Sequence, residues 1–230
     1  MLFRQLFEPV TSTYTYLLAD EATRQAVLID PVLDEVETYK SLLASLNLTL
    51  IYTLETHVHA DHVTAAAVLR AQLGSQSAVH ADGGAACADL LLKGGDELKV
   101  GNLLIQVLYT PGHTAGDVSY LAGDRVFTGD ALLIGGCGRT DFQEGSADRL
   151  FDSIHSHLFT LPGETLVYPG HDYKGRTVST IAEERTSNAR LGGGKSREEF
   201  VLLMEQLQLP YPRFIDRAVP ANRQCGRESV

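Results

Sequence analysis

Short β-rich runs closed by turn formers alternate with apolar residues at helical spacing along the whole chain. Residues 3–7, 14–18 and 26–29 read as strands. Over residues 34–45, Val36, Tyr39, Leu42 and Leu43 fall on one helical face, and residues 48–54 return to a strand. The Ala-rich run from Asp61 predicts a helix that stops at Gly74. A strand at residues 78–80 and a helix over 85–92 come next, then strands at 103–109, 118–121 and 125–128, so the second half repeats the order of the first. Beyond the glycine loop at 135–138, the pattern predicts a helix over 147–158, a strand at 166–168, and helices over 181–188 and 197–208. The tail from Pro210 reads as irregular. No low-complexity linker interrupts the 230 residues, so one domain spanning 1–230 is expected. Two mixed β-sheets packed together with helices on the outside, an α+β class, satisfy this order.

The strands share a second feature. Several end in a small-residue turn that delivers His or Asp: LIYTLETH brings His57, IQVLYTPGH His113, RVFTGD Asp130 and TLVYPGH His171. Sheets commonly gather ligands at the carboxyl ends of their strands, so one site at one edge is expected. The segment THVHADH, residues 56–62, adds His59, Asp61 and His62. On an extended segment the imidazoles of His57 and His59 project to the same side, with Asp61 and His62 placed at the start of the following helix. Packing alone would favour Val or Leu at such positions, which points to a metal enzyme. His155 and His157 have the same spacing on a predicted helix, where their rings diverge, and they read as surface or rim residues, while His80 reads equally well as structural.

Arg139, Asp141, Tyr173, Lys174 and Arg176 lie in two loops, GCGRTDF and HDYKGR, that follow metal-bearing turns and are placed to hold a substrate. Arg139 offers a planar fork for a carboxylate, with a structural ion pair to Asp141 or Asp172 as the alternative. Cys137 reads as a pocket wall rather than a nucleophile, and Cys87 as core. Three scattered cysteines do not resemble a disulfide framework, and a reducing cytoplasm fits them best. The opening MLFRQLFEP resembles neither a secretory signal nor a transit peptide, and no apolar run is long enough to span a bilayer. A formal charge of −10 argues against a nucleic-acid partner, while a small anion remains compatible with local Arg and Lys residues.

HVHADH, PGHT, TGD and the late GH resemble the metallo-β-lactamase superfamily, whose fold is the αββα sandwich. Within it, FEPVTSTYTYLLAD, AVLIDPV, THVHADH, TGDALLIGGCGRTDF, FTLPGETLVYPGHDYKG, TVSTIAEER and IDRAVPAN look like persulfide dioxygenases of the ETHE1 type, over nearly the whole chain. That resemblance implies one Fe(II) per chain, held by His57, His113 and Asp130, and oxidation of glutathione persulfide by O₂ and water to sulfite and glutathione. It makes His59, Asp61, His62 and His171 supports of the ligands, and Arg139 and Tyr173 contacts of the glutathione moiety. A homodimer is the assembly it suggests, and a sulfurtransferase is the kind of partner that would supply the persulfide. The alternative is a dinuclear zinc thioesterase of the glyoxalase II kind. There, His57, His59 and His113 would hold one Zn²⁺ and Asp61, His62 and His171 the other, with Asp130 bridging.

Overall fold

The computed structural model describes residues 1–227, which fold as two six-stranded sheets laid face to face. The first holds β1 (Leu2–Glu8), β2 (Thr13–Ala19), β3 (Gln25–Ile29), β4 (Thr49–Leu54), β5 (Gln76–His80) and β6 (Leu90–Leu92) side by side in that order. β1, β2 and β3 pair antiparallel, while β3 through β6 pair parallel. The second holds β7 (Glu97–Val100), β8 (Leu103–Tyr109), β9 (Val118–Ala122), β10 (Arg125–Gly129), β11 (Leu166–Pro169) and β12 (Ser179–Thr180), with β10 and β11 its parallel pair. Both sheets are mixed, as the element order predicts.

β2 shows how the layers arise from sequence. All seven residues of TYTYLLA are buried. Its alternate residues Tyr14, Tyr16 and Leu18 enter the core between the sheets, against Val107, Tyr120 and Phe127. Leu17 and Ala19 face the other way, beneath α1 (Val36–Ser45) and α2 (Ala66–Leu73), where they meet Tyr39, Leu43 and Leu69. A strand covered on both faces has no need to alternate apolar with polar residues. On the second sheet, Val126 and Val167 pack under α3 (Ala147–Ser153), α4 (Ile181–Ser187) and α5 (Arg197–Glu205) through Leu150, Ile181 and Phe200. The result is the helix–sheet–sheet–helix sandwich of the metallo-β-lactamase fold.

Five sequence expectations are corrected. The helix expected from Asp61 begins only at Ala66. Leu33 donates its N–H to the Val63 carbonyl and Ala65 donates to that of Pro31, so these backbone groups serve an extended crossing instead of a helical turn. The helix expected over 85–92 is a turn followed by β6, which pairs parallel with β5. The tail expected to be irregular contains α6 (Ile215–Asn222). The cysteines expected to stand apart include a bonded pair, Cys87–Cys225, which closes a separation of 138 residues. The premise of the reducing-compartment expectation therefore does not hold, and Cys87 is partly exposed rather than core. Cys137 is free and buried. Among the described residues, no helix is long and apolar enough to cross a membrane.

Tethering so long a loop restricts the unfolded chain, and Cys225→Ser is expected to cost about 2–4 kcal/mol of stability. Urea melts with and without a dithiol measure this: reduction should bring the wild type down to the variant and leave the variant unmoved. Coincident oxidised curves would show that the bond adds nothing.

Candidate metal centre

Three of the strand-end turns bring their metal-capable side chains together. His57 follows β4, His113 lies in the turn between β8 and β9, and Asp130 follows β10. The metal-capable atoms of these three residues all lie within 4.8 Å of one another. Gly129 makes the last approach possible: its φ is +50°, and a Cβ there would collide with the Thr56 side chain. Asp117 secures the His113 turn, accepting hydrogen bonds from the Thr114 N–H and hydroxyl, each at 2.6 Å. Burial pushes the Asp117 carboxyl up to about 6.

The hydrogen bonds fix which imidazole nitrogen is free. The Thr56 hydroxyl donates its one proton to Asp30 Oδ2 at 2.8 Å, so it must accept from His57 Nδ1 at 3.0 Å. His57 Nε2 is then left bare, and burial holds this imidazole well below its ordinary pKa, in the neutral form that binds metals. His113 Nδ1 donates to the Arg139 carbonyl at 2.6 Å, leaving its Nε2 3.6 Å from Asp130 Oδ2. His171 Nδ1 donates to the Ser12 carbonyl at 3.1 Å, with Nε2 3.6 Å from both Asp130 Oδ1 and Asp61 Oδ2. Metal-binding imidazoles are commonly oriented by such contacts. Asp130 Oδ1 is buried with no hydrogen-bond partner. A buried carboxylate oxygen without a donor is costly, and two bare imidazole nitrogens beside it make a donor set that a divalent cation satisfies.

His59 points its Nε2 away from this set, at Asp30 (3.1 Å) and Glu55 (3.3 Å). Burial opposes charge on His59, but these two carboxylates outweigh it and hold its pKa well above the ordinary value. Burial likewise opposes ionisation of Asp61, yet His62 and His171 keep its carboxyl well below the usual range. Asp61 Oδ2 already receives His62 Nδ1 at 2.8 Å and the Thr13 hydroxyl at 3.0 Å. Among the described residues, His59, Asp61 and His62 form a separate metal-competent group, and so do Asp30, Glu55 and His59, whereas Asp61, His62 and His171 form none. His80, His155 and His157 join no such group. His80 stacks on Tyr109 at 4.2 Å and accepts the Asp82 N–H, while His155 stacks on Phe151 at 3.9 Å.

A cavity of about 730 Å³ opens over His57, His113 and Asp130. Tyr173 stands at its rim, 73% exposed and parallel to the His171 ring. Arg139 lines the cavity too, but its guanidinium is taken: Nε and Nη2 grip Asp141 at 2.6 and 2.7 Å, and Nη1 donates to the Pro210 carbonyl at 2.7 Å. The ion-pair alternative is thus the observed arrangement for Arg139. Lys174 and Arg176 do not line the cavity, and Arg176 pairs with Glu183. The Cys137 thiol is pushed up to about 11 by burial, which suits a wall and not a nucleophile. Sequence reasoning missed Arg190 and Arg213, which share the cavity lining. Arg213 sits in the tail read as irregular, and Arg190 follows a predicted helix with no motif around it.

Comparison with known proteins shows the family. The model of the metallo-beta-lactamase superfamily matches residues 9–171. The human protein named persulfide dioxygenase ETHE1, mitochondrial, is 52% identical over 229 residues, covering 98% of this chain and 89% of its own length. The chain belongs to the persulfide dioxygenase family. Its mouse relative of the same name is also 52% identical, with the same coverage. The crystal structure of ETHE1 from Myxococcus xanthus superposes with a TM-score of 0.97 at 60% identity, covering 99% of this chain and 100% of that one. These relatives of the dioxygenase family carry no thioesterase name, so the glyoxalase II alternative loses its support.

Proposed function

We propose that this chain is a mononuclear iron persulfide dioxygenase that converts glutathione persulfide, O₂ and water to glutathione and sulfite. The observation that carries the reading is the convergence of His57, His113 and Asp130, two imidazoles and one carboxylate, beneath a roomy cavity in a member of the dioxygenase family. Two-histidine, one-carboxylate sets with open positions suit Fe(II) oxygenases, and bound there the iron would supply a redox centre at which persulfide and O₂ meet.

The surrounding residues have their own tasks in this reading. Thr56 and the Arg139 carbonyl hold the tautomers of His57 and His113. His59, Asp61, His62 and His171 support the ligands from behind, with His59 anchored on Asp30. Tyr173 offers its exposed hydroxyl to the glutathione moiety. Arg139 acts on the substrate through the cavity wall: it holds the Pro210 carbonyl, and its guanidinium carbon lies 4.6 Å above the Phe142 ring, which in turn meets Tyr211 edge-on at 5.6 Å.

An oxygen electrode tests the reading on anaerobically purified, iron-loaded protein. Glutathione persulfide should drive O₂ uptake with sulfite formed in equal amount. Protein that consumes no O₂ when iron-loaded, but hydrolyses a glutathione thioester when zinc-loaded, would overturn it. Aerobic preparations should be avoided, because Zn²⁺ outcompetes Fe²⁺ at such ligands.

A further inference from the structure

The run IDRAVPAN, residues 215–222, contributes none of the metal-capable side chains, yet its last residue is buried against the segment that does. Asn222 Nδ2 donates to the carbonyl oxygens of His59 (2.9 Å) and His62 (2.8 Å), and its Oδ1 accepts the Thr64 N–H at 2.9 Å. The amide orientation is forced, because turning it over would set an oxygen against two carbonyls. The contact continues beyond the helix. The Ala67 N–H donates to the Cys225 carbonyl at 3.0 Å, and Gly226, at φ +88°, packs so closely on the Thr64 carbonyl that no Cβ would fit. Cys225 is itself bonded to Cys87, which fixes this short stretch to the body of the protein.

Residues 59–64 lie outside helix and strand, so their buried backbone groups must find partners elsewhere. Asn222 supplies three of them at once. We infer that Asn222 is a positioning residue for the metal centre: its carboxamide sets the path of the segment that begins with His57 and carries His59, Asp61 and His62, and so sets the direction of the ligand nitrogen. It touches neither metal nor substrate. The inference rests on the reading that His57, His113 and Asp130 hold the metal. Loss of a direct hydrogen-bond partner of a metal ligand typically weakens metal binding by about 10–100-fold, and Asn222, which holds the backbone that follows the ligand His57, is expected at the lower end of that range.

The test uses Co²⁺ as the probe on the full chain prepared without metal, reading its visible absorption bands and its rate of release to a chelator. Asn222→Ala should fold, shift the bands and release Co²⁺ about 10-fold faster than wild type. Asn222→Asp keeps the acceptor for Thr64 but offers carboxylate oxygens to two carbonyls; it should behave the same way, and it stands in should the alanine variant fail to fold. Phe200→Leu, buried under the second sheet and away from this segment, should lower the melting temperature without moving the bands. Bands and release unchanged in the Asn222 variants, with Co²⁺ bound by wild type, would overturn the inference alone. Phe200→Leu moving the bands as far as Asn222→Ala would also overturn it, by showing general softening. Wild type that takes up no Co²⁺ would overturn the metal reading and the inference with it.

Discussion

His113→Ala is expected to leave anaerobic purification without iron, while Arg139→Ala keeps a full complement and uses its substrate poorly. The division follows from what each side chain touches. His113 offers Nε2 to the set completed by His57 and Asp130, and its loss leaves one imidazole and one carboxylate, too few donors to retain a labile Fe²⁺. Arg139 lends the site only its backbone carbonyl, which accepts from His113 Nδ1 and survives truncation of the side chain. What the alanine removes is the grip on Asp141 and Pro210, and with it the wall formed by residues 209–214. KM for glutathione persulfide should therefore rise by about tenfold, equivalent to the loss of roughly 1.4 kcal/mol of substrate binding, with kcat changing less. Metal analysis and oxygen-uptake kinetics on the two proteins decide the matter, and equal iron loss in both would refute the division.

The same residues show what could be read from sequence. The turns that follow β4, β8, β10 and β11 made His57, His113, Asp130 and His171 legible as candidates at one edge of the two packed sheets, and the family resemblance, not the spacing, singled out the first three as ligands. The layer order was legible from the alternation of short strand runs with helical stretches, which two mixed sheets with helices outside satisfy. Long-range pairing was not legible. Nothing in residues 61–65 announces that their backbone will pair with residues 31–33 instead of starting a helix. The local composition of 85–92 favours a helix, and pairing with β5 overrides it. Pro210 and Pro212 mark an irregular stretch correctly, but α6 follows them with Pro220 near its end, packs Ala218 and Ala221 on Val63, and brings Asn222 to Thr64, 158 residues away. Arg139 was ambiguous for a local reason. A guanidinium two residues from an aspartate can close on it or reach outward; here it closes on Asp141 and also holds the Pro210 carbonyl, a partner 71 residues away that local sequence does not reveal.

The largest stability effect is expected at Asp30, a residue without a catalytic motif around it. Its carboxylate is 1% exposed and accepts the Thr56 N–H at 2.7 Å, the Thr56 hydroxyl at 2.8 Å and His59 Nε2 at 3.1 Å. Asp30→Ala would strip three buried donors of their acceptor and leave His59 Nε2 with Glu55 alone, and breaking a buried ion pair from one side costs about 3–5 kcal/mol. The backbone adds to this. Asp30 has φ +52°, a left-handed conformation that Asp and Asn tolerate better than Ala. Asp30→Asn separates the two causes, because it keeps the backbone preference and one acceptor oxygen while removing the charge and turning an amide group toward the Thr56 hydroxyl, which can no longer donate there. The alanine variant should show the larger fall in urea midpoint, and the asparagine variant a smaller one. Both should also lose metal affinity, since the Thr56 hydroxyl that keeps His57 in its ligand tautomer takes its direction from Asp30. A global stability of about 5–15 kcal/mol leaves little room for such a loss, so Asp30→Ala should be largely unfolded at modest urea. An Asp30→Ala protein within about 1 kcal/mol of wild type would show that these donors find other partners, and that the chain from Asp30 through Thr56 to His57 is not what orients the ligand.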